Sequence, residues 1–291
     1  MKIQEPINRV TRKQKLKNYS KHPGSFLLAL LTKLAILLTV LALGFILIYI
    51  LVKGIPNLST DLFALKYTTE NVSMLPAIIN TLIITLLSLC IAGPIGIFSA
   101  IYLVEYAKKG NKLVEVVRVT AETLTGIPSI VYGLFGMLFF VTTLKCGYSL
   151  LAGALTLSIM VLPVIMRTTE EALLAVPNSF REGSFGLGAG KLRTIFKIVL
   201  PAAVPGILAG VILAIGRMVG ETAALIYTAG TVAEIPSSIM SSGRTLAIHM
   251  YSLSKEGLYT DQAYATAVVL LIVVVLINML SNFVAKKFTK K

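Results

Sequence analysis

Residues 267–280 read AVVLLIVVVLINML, an apolar run interrupted only by one asparagine. Such a run does not alternate in polarity, so it cannot be a strand of a membrane barrel. A helix crossing a bilayer needs about 20 mostly apolar residues. Six blocks qualify or nearly qualify, at 27–52, 75–104, 119–144, 149–166, 201–228 and 264–285. No water reaches the hydrocarbon layer, and a helix satisfies its own backbone groups there. The expected fold class is therefore an all-α polytopic membrane protein with six transmembrane helices. Composition agrees. The chain is 56% hydrophobic and 14% charged, against roughly 45–50% and about 25% in a soluble domain.

Two blocks carry local detail. The second is long enough to tilt or bend, and Gly93-Pro94 near its middle supplies a cause for a bend. The fourth is the shortest, with room to extend into the loop that follows.

The net charge of +14 first suggests nucleic-acid binding, but its distribution points elsewhere. Twenty of the 27 Lys and Arg residues fall in 1–26, 105–118, 167–200 and 286–291. The connections at 53–74, 145–148 and 229–263 hold only five. The two sets alternate along the chain, as six crossings require. The positive-inside rule then places both termini and the 167–200 loop in the cytoplasm. Topology explains the charge.

The expected organisation is a basic cytoplasmic tail (1–26), a six-helix domain (27–286) and a short basic tail (287–291). The first block follows a basic stretch but lacks a small-residue cleavage site, and reads as an uncleaved anchor. Lys33 lies near its cytoplasmic end, where a long side chain snorkels. Cys90 reads as a packing residue and Cys146 as a free thiol near the outer surface. No His or Cys spacing suggests a metal, and no Walker A loop is present. Residues 206–210 and 216–220 are both G-x-x-x-G, which lets helix backbones approach closely. Within 229–263, Leu246, Met250 and Leu253 fall on one face of a short helix, with His249 on or near that face. Two readings stand for that helix: it lies on the membrane interface, or it docks an external partner.

The segment between the fourth and fifth blocks is polar without being a linker. Its apolar residues Phe185, Leu187, Leu192, Ile195, Phe196 and Val199 recur at near-helical spacing among charges. Here Arg181 precedes Glu182-Gly183-Ser184, then Gly188, then Ile198-x-Leu200-Pro201. This spacing resembles the EAA loop of bacterial ABC-importer permeases: Glu-Ala-Ala, three residues, Gly, nine residues, Ile-x-Leu-Pro. The departure is Gly183-Ser184 for Ala-Ala, still small but poorer in helix propensity. ETLTGIPSIVYGLFG (122–136), residues 166–191 and GRMVGETAALIYTAG (216–230) narrow the resemblance to phosphate-importer permeases of the PstA type.

The resemblance implies a type I importer permease of MetI-like fold in the bacterial cytoplasmic (inner) membrane. It implies a sister permease (PstC-like), an ATPase dimer (PstB-like) and an external phosphate-binding protein (PstS-like). No cofactor would belong to this chain, since ATP and Mg would sit on the ATPases. Arg181, Glu182, Gly183, Ser184, Gly188, Leu200 and Pro201 would form the coupling segment. A permease for molybdate or sulfate is the nearest rival. An ion-driven transporter lacks support from internal symmetry, and an intramembrane enzyme would need an aspartate or histidine that no block contains.

Ionisable groups inside a membrane are costly and functional by default. Arg217 and Glu221 are four apart, the spacing of a shared helix face. Arg217 is expected to line an anion path, since its planar fork matches phosphate oxygens, with Glu221 limiting how tightly it holds on. Arg167 is expected to be a second station or a partner of Glu170 or Glu171. Glu122 is expected to pair with an arginine or cap a helix. The competing reading is that all four only fix helix packing.

Overall fold

The computed structural model describes residues 23–108 and 110–289, with side chains from 24 to 283. The expected basic tail at 1–26 lies outside these residues up to position 22, and the chain is already helical from Pro23. Of the tail at 287–291, only the helical backbone to Thr289 is described.

The chain divides into two units, residues 1–52 and 53–291. The described part of the first, residues 23–52, belongs to helix α1 (Pro23–Gly54), which carries apolar side chains on every side. This is the pattern of a helix surrounded by hydrocarbon.

The second unit begins with two short 3₁₀ turns, Ile55–Asn57 and Thr60–Phe63. Then follow α2 (Leu75–Tyr106), α3 (Lys112–Thr125), α4 (Ser129–Thr143), α5 (Leu150–Leu174) and α6 (Asn178–Gly186). The remainder comprises α7 (Lys191–Val219), the single turn α8 (Ala223–Ile226), α9 (Leu246–Glu256) and α10 (Thr260–Thr289). Among the described residues, α1, α2, α5, α7 and α10 are each long and apolar enough to cross a membrane, and α3 with α4 makes a sixth, broken crossing.

Helices α2 and α5 form the centre. Buried apolar side chains such as Ile84, Leu157, Met160 and Ile165 fill the seam. Two hydroxyls lock it: Ser88 donates to the Ala154 carbonyl at 3.1 Å, and Ser158 donates to the Ser88 carbonyl at 3.2 Å. On the other side of α5, α7 packs through its first G-x-x-x-G. A Cβ on Gly206 would lie 2.6 Å from the Ala172 Cβ, and one on Gly210 would strike Thr168. The second G-x-x-x-G differs, because Gly216 faces open space.

Two expected spans are corrected, the third and the fifth, and the fourth extends into the following loop as its short length allowed. The third is not one helix: α3 and α4 meet at 104°. Pro128 starts α4 and lacks an N–H, and it disfavours helical geometry at Ile127. Tyr132 braces the corner by donating to the Leu124 carbonyl at 2.8 Å. Meanwhile α2 continues through Gly93-Pro94 without a break. The fourth span runs eight residues past 166, to Leu174, before Pro177 stops it. The fifth starts early, at Lys191, and ends at Val219, since Gly220 favours termination.

Helix α9 is also reassigned. Leu246 and Leu253 do share a face with His249, but all three are buried, and α9 packs on α10 and α2. That face therefore neither lies on the membrane interface nor docks an external partner. Cys90, expected in the packing, is exposed on α2.

Candidate functional site

The 167–200 loop folds as the end of α5, the short helix α6 and the first turns of α7. Pro177 precedes α6, its fixed φ of −57° leading directly into the helix. At the far end Gly188 has φ +81°, a conformation that costs an L-residue free energy and a glycine little. Ala189 N–H donates to the Ser184 carbonyl at 3.1 Å and Gly188 N–H to the Phe185 carbonyl at 2.9 Å. These paired bonds are the Schellman closure of a helix end. Gly188 of the motif is therefore required by backbone geometry.

The return into α7 is held by the Ser184 and Thr194 hydroxyls, 2.8 Å apart. Lys191 stacks 4.8 Å over the Tyr106 ring. Ile195 and Val199 are buried. Residues Ile195–Val199 form a widened π-type turn immediately before Leu200-Pro201. Pro201 cannot donate to an i−4 carbonyl, and a widened turn accommodates that loss within one helix.

Arg181 is turned inward. Its Nε and Nη2 both reach Glu105 Oε1, at 3.1 and 2.7 Å. Nη2 and Nη1 also donate to the carbonyls of Leu173 and Val176, at 3.0 and 2.9 Å. One guanidinium thus joins α6, the end of α5 and the end of α2. The side chains are 15% and 9% exposed, so the pair is largely desolvated. Sequence reading grouped Arg181 with the docking residues and gave Glu105 no role. The two lie 76 positions apart, and nothing in local spacing connects them.

With Arg181 inward, α6 shows a different surface outward. Phe180, Phe185 and Leu187 are exposed, Leu187 at 91%, alongside exposed Glu182. Cβ atoms built on Gly183 and Gly186 would meet nothing within 4 Å. The surface is apolar, small-residue-rich and uncovered by this chain.

The remaining charges divide into two groups. At the basic end, Arg167 Nε contacts Glu171 at 3.2 Å and its Nη1 reaches Glu122 at 3.6 Å. Beside them Arg118 and Glu170 are 2.7 Å apart, a pair the sequence did not indicate. These contacts tie α3 to the extended end of α5. The second group is Arg217 and Glu221, whose expected pairing fails. Arg217 lies in the last turn of α7, whereas Glu221 lies beyond the helix end, so they share no helix face. Glu221 Oε1 instead accepts from the Ala224 N–H at 3.1 Å, capping α8. Arg217 makes no ion pair among the described residues.

Residues 92–291 match the family described as binding-protein-dependent transport system inner membrane component. A phosphate transport system permease protein PstA from Pasteurella multocida is 35% identical over 269 residues, covering 88% of this chain and 92% of that protein. A probable ABC transporter permease protein, YqgI, from Bacillus subtilis is 32% identical over 261 residues, covering 84% and 88%. Among solved structures, a chain of a bacterial alginate ABC transporter superposes with TM-score 0.68 at 17% identity, covering 94% and 98%. A chain of the inward-facing MetNI methionine transporter gives 0.57 at 21%, covering 74% and 94%.

Proposed function

This chain belongs to the family of binding-protein-dependent transport system inner membrane components, and on that premise we propose that it is the PstA-type permease of a bacterial phosphate importer. It is a membrane-embedded permease subunit of a type I ABC importer. A sister permease completes the pore, two ATPases dock on the cytoplasmic side, and an external binding protein delivers inorganic phosphate.

One observation carries the coupling role. Helix α6 presents Phe180, Phe185, Leu187 and Glu182 outward while Arg181 anchors it inward. An exposed apolar patch flanked by charge is a surface for a protein partner. An ATPase that closes around this helix displaces it, and the ends of α2 and α5 follow through Arg181. Alternating access arises from that movement. Phosphate as the solute is supported by the named relatives and by Arg217, an intramembrane guanidinium without a carboxylate partner. A guanidinium left unpaired in a pore attracts an oxyanion and, lacking a second charge, releases it readily. Arg167, Glu122, Glu170 and Glu171 then serve as the pairs that fix α3 against α5.

The test is purification of the chain with its partners, followed by ATPase assay with phosphate and the binding protein. Co-purification of an ATPase, lost in Glu182→Arg, supports the coupling surface. Phosphate-specific stimulation supports the solute, and equal stimulation by molybdate or sulfate transfers the assignment to another oxyanion. Arg217→Ala with assembly intact is expected to lower phosphate uptake at least tenfold. Normal uptake removes Arg217 from the path.

A further inference from the structure

The end of the bundle opposite the coupling surface holds a second buried arginine, and its environment is the reverse of that around Arg181. Arg244, in the segment before α9, is 6% exposed. Asn80 (0% exposed), Thr245 (2%) and His249 (0%) are buried as well. Asn80 Nδ2 donates to the Arg244 carbonyl at 3.2 Å and to the Glu234 carbonyl at 3.0 Å, which ties α2 to this segment. Tyr67, from the 58–74 connection, covers the cluster: its ring centre is 4.7 Å from the Arg244 guanidinium and 6.2 Å from the His249 ring.

Backbone pairing leaves a defined set of side-chain atoms over. Arg244 Nε and Nη2, Thr245 Oγ1, Asn80 Oδ1 and the His249 ring nitrogens make no hydrogen bond among the described residues. Nε and Nη2 lie along one edge of a guanidinium, the edge that grips two oxygens side by side. In Arg181 that same edge is filled by Glu105. In Arg244 no carboxylate fills it: none of the described ion pairs includes Arg244.

The energetics require an anion. An arginine does not deprotonate. Burying its charge unpaired costs several kcal/mol, and a stacked aromatic ring returns about 2. Water would satisfy N–H groups and leave the charge. The neighbouring atoms narrow the choice of anion. The fork and the Thr245 hydroxyl donate. Asn80 Oδ1 only accepts, and a neutral His249 ring offers one acceptor nitrogen beside one N–H donor. A halide accepts and never donates, whereas a protonated tetrahedral oxyanion does both.

We propose that Arg244, Thr245, Asn80 and His249 form an oxyanion site at the outer end of the chain, lidded by Tyr67, which takes hydrogen phosphate or an isostere. Entry requires Tyr67, half-buried on an irregular segment, to swing from the guanidinium face. The site is remote from Arg217 in the sequence and does not depend on what the pore carries. Uptake is therefore not the readout, and its failure is separable from failure of the importer assignment.

The test uses the full chain purified with its co-purifying partners, without binding protein and without nucleotide. Thermal melting is followed against inorganic phosphate, sulfate and chloride at constant ionic strength. Phosphate is expected to raise the melting temperature saturably. Sulfate, fully ionised at neutral pH, is expected to need about tenfold more for the loss of one donated hydrogen bond. Thr245→Val is expected to weaken the phosphate effect about tenfold, and Arg244→Gln to abolish it. An unchanged response in both variants places the anion elsewhere and overturns the proposal, as does equal protection by chloride. Should Arg244→Gln fail to fold, wild-type crystals grown with arsenate decide the matter. An anomalous peak at the Nε–Nη2 edge of Arg244 upholds the site, and its absence at saturating arsenate overturns it.

Discussion

Gly188 shows how one residue sets the end of α6. Its φ of +81° is required, yet a Cβ there would meet nothing within 4 Å. Conformation, and not space, excludes other side chains. Asparagine visits this region far more readily than a β-branched residue, for which it costs about 1–2 kcal/mol. Gly188→Asn is therefore expected to retain most ATPase co-purification, while Gly188→Val loses about tenfold in apparent affinity, read by titrating the ATPase onto purified permease. Equal loss in both would point to a direct contact at Gly188. At the opposite end, His249 has its pKa lowered to about 3 from 6.5, first by burial and then by the Arg244 charge, with the Val72 carbonyl opposing. A folded-state pKa below the unfolded value means the neutral ring stabilises the fold. That contribution is complete above pH 6.5 and is lost as pH falls toward 3, by up to about 1.4 kcal/mol per unit. Melting measured between pH 7 and 4.5 is expected to fall more steeply in the wild type than in His249→Phe, and parallel curves would contradict this.

At the scale of elements, α6 is positioned by a clamp and not by its own apolar face. Truncating Arg181 leaves Glu105 desolvated and unpaired, which costs about 3–5 kcal/mol. Arg181→Met is expected to lower the melting temperature sharply, and Glu105→Gln in that background to restore part of the loss. A double-mutant cycle with no coupling energy would show that the pair is not what holds α6. The α3–α4 corner has the same character. Pro128 breaks the helix, but Tyr132 and the α5 seam decide where the second arm goes. Legibility differs accordingly. The existence of a short helix ending at Gly188 was readable from spacing and glycine chemistry. The pairing of Arg181 with Glu105 was not, because a contact 76 residues apart leaves no periodic trace.

For the whole molecule, the two G-x-x-x-G segments of α7 mark an inside and an outside. Gly206 and Gly210 are closed over by Ala172 and Thr168, whereas Gly216 is open. Gly210→Leu is expected to disrupt the chain itself, lowering its melting temperature when it is expressed alone. Gly216→Leu is expected to leave that temperature unchanged and to reduce recovery of the sister permease in co-purification. If both behave alike, α7 does not divide its two faces between self and partner. The long α2 spans the second unit, since Asn80 meets the Arg244 segment and Glu105 meets α6. At 1.5 Å per residue these positions are roughly 37 Å apart along one helix.

The sequence by itself marked the long apolar helices and the short helix that ends at Gly188. These follow from uninterrupted apolar length and from glycine geometry, both of which act locally along the chain. The spacing of Arg167 and Glu171 anticipated their contact, but tertiary structure alone decided which charges meet between elements. Four-residue spacing promised an Arg217–Glu221 pair, but the helix ends between them and Glu221 caps α8 instead. The same holds for the two buried arginines. Arg181 and Arg244 look alike in sequence, and only packing gives one a carboxylate and leaves the other's fork unfilled. Local propensity acts over a turn or two, while a buried charge is settled by whatever residue the fold brings to it.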